Sequence, residues 1–215
     1  MEFLTQIIDI FLHLDKHLAS IVADYGTLTY LILFTIIFME TGLVVTPFLP
    51  GDSLLFATGA IVALPNSGLN LLLMGLLLFI AAVVGDTVNY GVGRYFGQRA
   101  FNLNSRFIKQ EYLIQTQKFY EKHGGKAIIF ARFVPIVRTF APFVAGVGTM
   151  NYRSFIIYNI VGGFLWVALF LVAGYYFGNI EFVRKRFTLV IFAIIVLSIL
   201  PAIIELVRGK MKKHK

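Results

Sequence analysis

The chain contains no cysteine, which removes disulfides, thiolate metal sites and a thiol nucleophile from consideration. Charge is scarce too. Asp, Glu, Lys and Arg make up 14% of the 215 residues, against about 25% in an average soluble domain. The four histidines, His13, His17, His123 and His214, all lie outside the long apolar runs. His13 and His17 stand four apart and would supply half a metal site, but no third ligand accompanies them, so neither metal nor cofactor is expected. No Ser-His-Asp order is evident. Gly91-x-Gly93 lies in an apolar helix with no strand before it, which rules out a dinucleotide fingerprint. No enzyme chemistry is therefore expected.

What the chain has in abundance is apolar surface: 58% hydrophobic residues and a mean hydropathy of +0.81. The formal charge of +8 comes from basic residues beside apolar segments. Orientation in a membrane requires that arrangement, so nucleic acid is not an expected partner. Residues 1–24 carry four acids and no basic n-region. With Phe3, Ile7, Ile10, Phe11, Leu14 and Leu18 at helical spacing, they read as an interfacial amphipathic helix rather than a signal peptide. The mixed run from Lys109 to Lys122 reads as a second interfacial helix.

Crossing a hydrocarbon core takes roughly 20 helical residues. Spanning helices are expected at about 25–40, 69–96 and 154–177, with a last one at 187–207 before a basic tail at 208–215. Two apolar segments fit badly. Residues 41–64 contain Pro47, Pro50, Gly51 and Asp52, and residues 127–150 contain Arg132, Pro135, Arg138 and Pro142. Proline breaks a helix, and broken backbone survives at membrane depth only inside protein or beside a polar cavity. Both segments read as re-entrant hairpins, shaped by Pro47, Pro50, Gly51, Pro135 and Pro142. The expected fold is an all-α integral membrane bundle with two opposed hairpins among about four spanning helices, its core at 25–178.

Placing the N-terminus inside puts the seven basic residues from Arg94 to Lys126 and the five of the tail on the cytoplasmic side. Arg184, Lys185 and Arg186 fall outside, against the trend. Gly93-Arg-Tyr-Phe-Gly97 and Gly174-Tyr-Tyr-Phe-Gly178 each close a spanning helix, and each helix follows a proline-broken segment, Pro47 leading to Gly59 and Pro135 to Gly146. Such a duplication would be an inverted repeat of the transporter kind. Small residues at helix ends also aid packing without any repeat.

Four ionisable residues lie at expected bilayer depth: Glu40, Asp52, Arg132 and Arg138. A charge there costs from about 2.5 to more than 10 kcal/mol, so pairing or water access is required. Opposed hairpins would bring the carboxylates toward the guanidiniums. Each residue also has a plainer role open to it: Asp52 as a helix cap, Glu40 at a wet boundary, the arginines as snorkelling anchors. Arginine is in addition the side chain suited to gripping phosphate bidentately. Asp86, in Gly85-Asp86-Thr87-x-Asn89-Tyr90, can either relay a proton or hydrogen-bond a neighbouring helix.

The runs FMETGLVVTPFLPGDSLLFATGA (38–60), VVGDTVNYGVGRYFG (83–97), FYEKHGGKAIIFARFVPIVRTFAPFVAGVG (119–148) and YNIVGGFLWV (158–167) closely resemble the DedA family of bacterial membrane proteins. Eukaryotic relatives of that family are the VTT-domain proteins that scramble phospholipids. The resemblance implies opposed re-entrant hairpins, dependence on proton motive force, and translocation of lipids such as undecaprenyl phosphate in the bacterial cytoplasmic membrane. It also implies an acidic pair, matched by Glu40 and Asp52, and an arginine pair, matched by Arg132 and Arg138.

The expected activity is a proton-coupled flippase of lipid phosphates, with both termini cytoplasmic. Arg132 and Arg138 would hold the phosphate of the lipid headgroup, and Glu40 and Asp52 would exchange protons. Self-association is left open. A small-solute or ion antiporter and a non-transporting membrane-assembly scaffold are the rival expectations.

Overall fold

The computed structural model describes residues 14–43, 51–103, 124–148, 150–194 and 196, and every regular element among them is helical. They are α1 (Leu14–Tyr25), a 3-10 turn (Gly26–Leu28), α2 (Thr29–Gly42), α3 (Gly51–Val62), α4 (Leu71–Leu103), α5 (Lys126–Ala131), α6 (Pro135–Val147), α7 (Tyr152–Phe177) and α8 (Glu181–Lys185). Residues 187–194 are helical as well. His13, Pro47, Pro50, the 109–122 segment, the end of the expected last helix and the basic tail lie outside the described residues.

Among the described residues, three stretches are long and apolar enough to cross a bilayer: His17–Gly42, Leu71–Phe96 and Tyr152–Phe177. The first joins α1 and α2 through the turn at Gly26, whose φ of 53° suits glycine. The two proline-containing segments give short helices instead. The 12 residues of α3 extend about 18 Å at about 1.5 Å each. The second segment breaks at Arg132–Val134 into α5, of 6 residues, and α6, of 13. Pro135 opens α6 at a position where the missing N–H has no intrahelical partner to lose.

Burial departs from that of a soluble protein in two respects. Large apolar side chains stand exposed along α4 and α7, among them Leu72, Leu76, Ile157, Phe164 and Leu169. Glu40, Asp52, Asp86, Arg132 and Arg138 are buried instead, none more than 5% exposed. All 12 residues of α3 are buried, as suits a helix surrounded by protein. Apolar side chains on the outside of the helices and charges held inside are the arrangement lipid solvates. The molecule is an all-α membrane protein.

The helices form two compact units. One takes residues up to 34, 48–78 and those from 167 onward; the other takes 35–47 and 79–166. In the first unit α1 packs on α3, and α3 crosses the end of α7 glycine against backbone. A Cβ on Gly59 would overlap the Leu171 carbonyl oxygen and lie 2.8 Å from Tyr175 N, and one on Gly174 would overlap the Phe56 carbonyl oxygen. Asn179 Nδ2 donates to Ala60 O at 2.9 Å just beyond.

The second unit contains the same crossing in other residues. A Cβ on Gly146 of α6 would overlap the Tyr90 carbonyl oxygen and lie 2.7 Å from Arg94 N, and one on Gly93 would overlap Phe143 O. Leu171 precedes Gly174 by three, as Tyr90 precedes Gly93. Phe56 precedes Gly59 by three, as Phe143 precedes Gly146. The short helix after each proline-broken stretch thus docks on its long helix through one shared contact. Gly59, Gly93, Gly146 and Gly174 are the residues the repeat in the sequence singles out.

Candidate functional site

In the second unit the end of α2 crosses α4 closely, because Gly85 carries no side chain: a Cβ there would collide with Thr41 and lie 3.0 Å from Gly42 N. The crossing sets Glu40 beside the polar face of α4. Asp86, Asn89, Tyr90 and Gly93 follow at i, i+3, i+4 and i+7 on that face, and all are buried. Asn89 Nδ2 bonds the Thr41 carbonyl at 3.1 Å and the Thr139 carbonyl at 2.8 Å, pinning the last turn of α2 and the first turns of α6 to α4. Tyr90 stacks on Phe155 at 4.4 Å and donates its hydroxyl to Met150 O.

Arg138, in the first turn of α6, donates through Nη2 to Glu40 Oε1 at 2.5 Å. Arg132, the residue capping the end of α5, donates through Nη2 to both Asp86 Oδ2 and Asn159 Oδ1. Asn159 is oriented in turn by donating to the Val83 carbonyl at 3.0 Å. Between the arginines lies the single tryptophan of the chain, Trp166, fully buried. The Arg138 guanidinium carbon is 4.6 Å from its ring centroid and that of Arg132 is 5.9 Å away. Both cations therefore lie within cation–π range of one indole.

Glu40, Asp86, Arg132 and Arg138 together carry no net charge. Each cation has an anion at contact, so the group can be held in a low-dielectric interior that a lone ion would not tolerate. Of the expected site residues, Glu40, Arg132 and Arg138 come together here. The carboxylate bonded to Arg132 is Asp86, which bridges helices. Asp52 belongs to the other unit, buried in the first turn of α3, where the N-terminal helix dipole favours a negative charge. Pro142 sits inside α6.

Asn159 and Trp166 were not among the expected site residues. A signal for them exists in α7. Asn159, Gly162, Gly163 and Trp166 repeat the i, i+3, i+4, i+7 spacing, and Asn159 is an isolated strongly polar side chain in an apolar helix.

Residues 49–176 match the model of the VTT domain. The chain is 58% identical to the protein DedA of Escherichia coli over 211 residues, covering 98% of this chain and 96% of that protein. It is 43% identical over 174 residues to a membrane protein of Mycobacterium tuberculosis, covering 80% and 76% respectively. Its identity to the inner membrane protein YqjA of Escherichia coli is 34% over 180 residues, covering 83% and 80%. No solved structure matches. The likeness spans both broken segments and all the residues of the buried charge cluster, and with it the chain belongs to the DedA family of VTT-domain membrane proteins.

Proposed function

We propose that this protein is a transporter that moves the phosphate headgroup of a lipid, undecaprenyl phosphate or a phospholipid, across the bacterial cytoplasmic membrane, coupled to the proton motive force. The observation that carries this reading is the pair of buried guanidiniums at Trp166, each held by a carboxylate in an apolar-surfaced body. Arginine stays charged, and its planar fork of donors matches phosphate oxygens. A carboxylate on each arginine keeps the site neutral without substrate, and the one on Arg138 is the anion that substrate must displace. Protonating Glu40 releases Arg138 to the headgroup; deprotonation reclaims it. Proton and phosphate binding are then linked through the shared arginine. The lipid tail remains in the bilayer, so only the headgroup needs a polar path.

In this reading the segments that give α3 and α5–α6 are re-entrant, which places broken backbone beside the polar path. The test is flux in proteoliposomes containing the purified protein, comparing a short-chain fluorescent phosphatidic acid in the bilayer with radiolabelled inorganic phosphate in solution. The reading predicts movement of the lipid. Phosphate uptake without lipid movement would make the protein a solute carrier and overturn it.

A further inference from the structure

Most glycines at helix contacts in this chain are accounted for by backbone against backbone: at Gly59, Gly93, Gly146 and Gly174 a methyl group would overlap a carbonyl oxygen of the facing helix. Gly163 of α7 is different. Its Cβ would meet no backbone atom at such range; it would lie 3.5 Å from Arg132 Cζ and Nη1 and 3.2 Å from the end of the Val83 side chain. At Gly162 the Cβ would lie 3.5 Å from Arg132 Nε and 3.2 Å from its Cδ, with Ile129 Cα at 3.3 Å. Two successive glycines inside a helix cost about 1 kcal/mol each relative to alanine. At Gly163 the facing atoms are the ends of two side chains rather than backbone. What the glycines leave free of a side chain is the flank of one guanidinium.

That guanidinium is incompletely bonded. It has five N–H donors. Nη2 serves Asp86 and Asn159, while Nε and Nη1 are buried with no acceptor among the described residues. Asp86 engages with one oxygen only, its Oδ1 also being buried without a donor among the described residues, so the carboxylate does not grip the arginine as a fork. Buried donors of a cation left unmet carry a full desolvation penalty, so an acceptor is called for at this place.

We infer that the Gly162–Gly163 step is a subsite where an anionic phosphate oxygen meets Arg132 Nε and Nη1, with Asp86 and Asn159 as positioning residues that hold Nη2 and keep the other donors turned to the glycines. The inference rests on the proposed function and adds where the headgroup docks. It also gives Asp86 a role distinct from that of Glu40: Asp86 orients Arg132 while phosphate is bound, and need not let go.

Trp166 supplies the readout, since it is the single tryptophan and lies within 5.9 Å of the Arg132 guanidinium carbon. The experiment titrates its emission in nanodiscs of phosphatidylcholine against a rising fraction of phosphatidic acid, and separately against inorganic phosphate. The wild-type protein is expected to show a saturable change with phosphatidic acid. Saturation with inorganic phosphate alone would assign the subsite to a free anion and overturn the lipid assignment. Gly163→Ala places a methyl 3.5 Å from Nη1, where an acceptor would approach, and is expected to weaken the response at least tenfold. Gly91→Ala, with nothing within 4 Å of its Cβ, should leave it unchanged. If Gly163→Ala yields no folded protein, Asp86→Asn decides. Removing one negative charge at contact with Arg132 should tighten phosphatidic acid binding by about tenfold, whereas a merely structural Asp86 would lower yield without raising affinity. Wild-type affinity in both variants, or no saturable response in the wild type, would overturn the subsite. Normal binding that is lost in Gly163→Ala, together with no lipid flux, would keep the subsite and refute transport.

Discussion

Arg132 and Arg138 reach one indole from different local settings, Arg132 at the frayed end of a 6-residue helix and Arg138 in the first turn of the next. The chain break between them allows two side chains six positions apart to converge. Neither arginine can be exchanged for lysine without loss, because an ammonium is a point charge that neither stacks on Trp166 nor offers a planar fork. Arg132→Lys and Arg138→Lys are each expected to accumulate near the normal level yet lower lipid flux at least tenfold; full flux in both would reduce the arginines to bulk charge. Glu40→Gln imitates the protonated acid that releases Arg138, and Asp52→Asn does the same for the buried acid of α3. Each should still bind phosphatidic acid while flattening the dependence of flux on an imposed pH gradient, measured over a series of external pH values. Unaltered gradient dependence in both variants would leave these acids as structural partners. The four charges were legible in the sequence, because ionisable residues in apolar runs are costly enough to need a reason. Their wiring was not. Asp86, with two roles open to it, proves to bond Arg132, and Asn159 and Trp166 carry no charge to draw notice. Hydrogen-bond partners from distant helices are fixed by packing, which a single sequence does not display.

At the scale of elements, the paired crossing of a short helix on a long one sets the geometry around the charge cluster. Gly93 and Gly146 bring α4 and α6 to backbone contact, seven residues beyond Asp86 and eight beyond Arg138. Overpacking such a contact costs about 1–3 kcal/mol. Gly146→Ala and its counterpart Gly59→Ala should each lower the thermal unfolding midpoint in detergent, while Gly91→Ala should hold or raise it, since nothing lies within 4 Å of its Cβ. An unchanged midpoint in both Gly59→Ala and Gly146→Ala would mean that the crossings are loose. The repeat showed in the sequence only as two glycine-ended aromatic motifs, which packing alone also explains. Matching backbone contacts three residues upstream of each glycine make it a structural repeat. The proline-broken segments were readable for a direct reason: proline and buried charge both stop a spanning helix. At α1 the apolar spacing suggested an interfacial helix, and by length and composition residues 17–42 also make one apolar stretch through the turn at Gly26.

For the whole molecule, exposed apolar helices and buried charges suit a membrane, and the expected orientation in it rests on the basic residues. Lys185 pairs with Glu181 at 2.7 Å and Arg186 stacks 5.4 Å from Phe182, so two of the three basic residues that run against the charge rule are engaged locally. Exposed contacts of this kind are worth little energy, yet they partly offset the adverse count. The expected topology puts residue 124 inside and residue 67 outside. Single cysteines at Gly124 and Ser67 are free of background because the chain has none. Impermeant labelling of intact cells should modify position 67 alone; labelling of 124 alone would invert the scheme. The central claim, that the buried charge cluster passes a lipid phosphate across the bilayer, is tested most directly by scrambling kinetics. Proteoliposomes are loaded with a fluorescent short-chain phosphatidic acid in the outer leaflet, under an inward proton gradient, and protection from an external quencher is followed in time. The account predicts protection that depends on the protein, is accelerated by the gradient, and falls at least tenfold in Arg132→Lys. Protection no faster than in protein-free liposomes would contradict it.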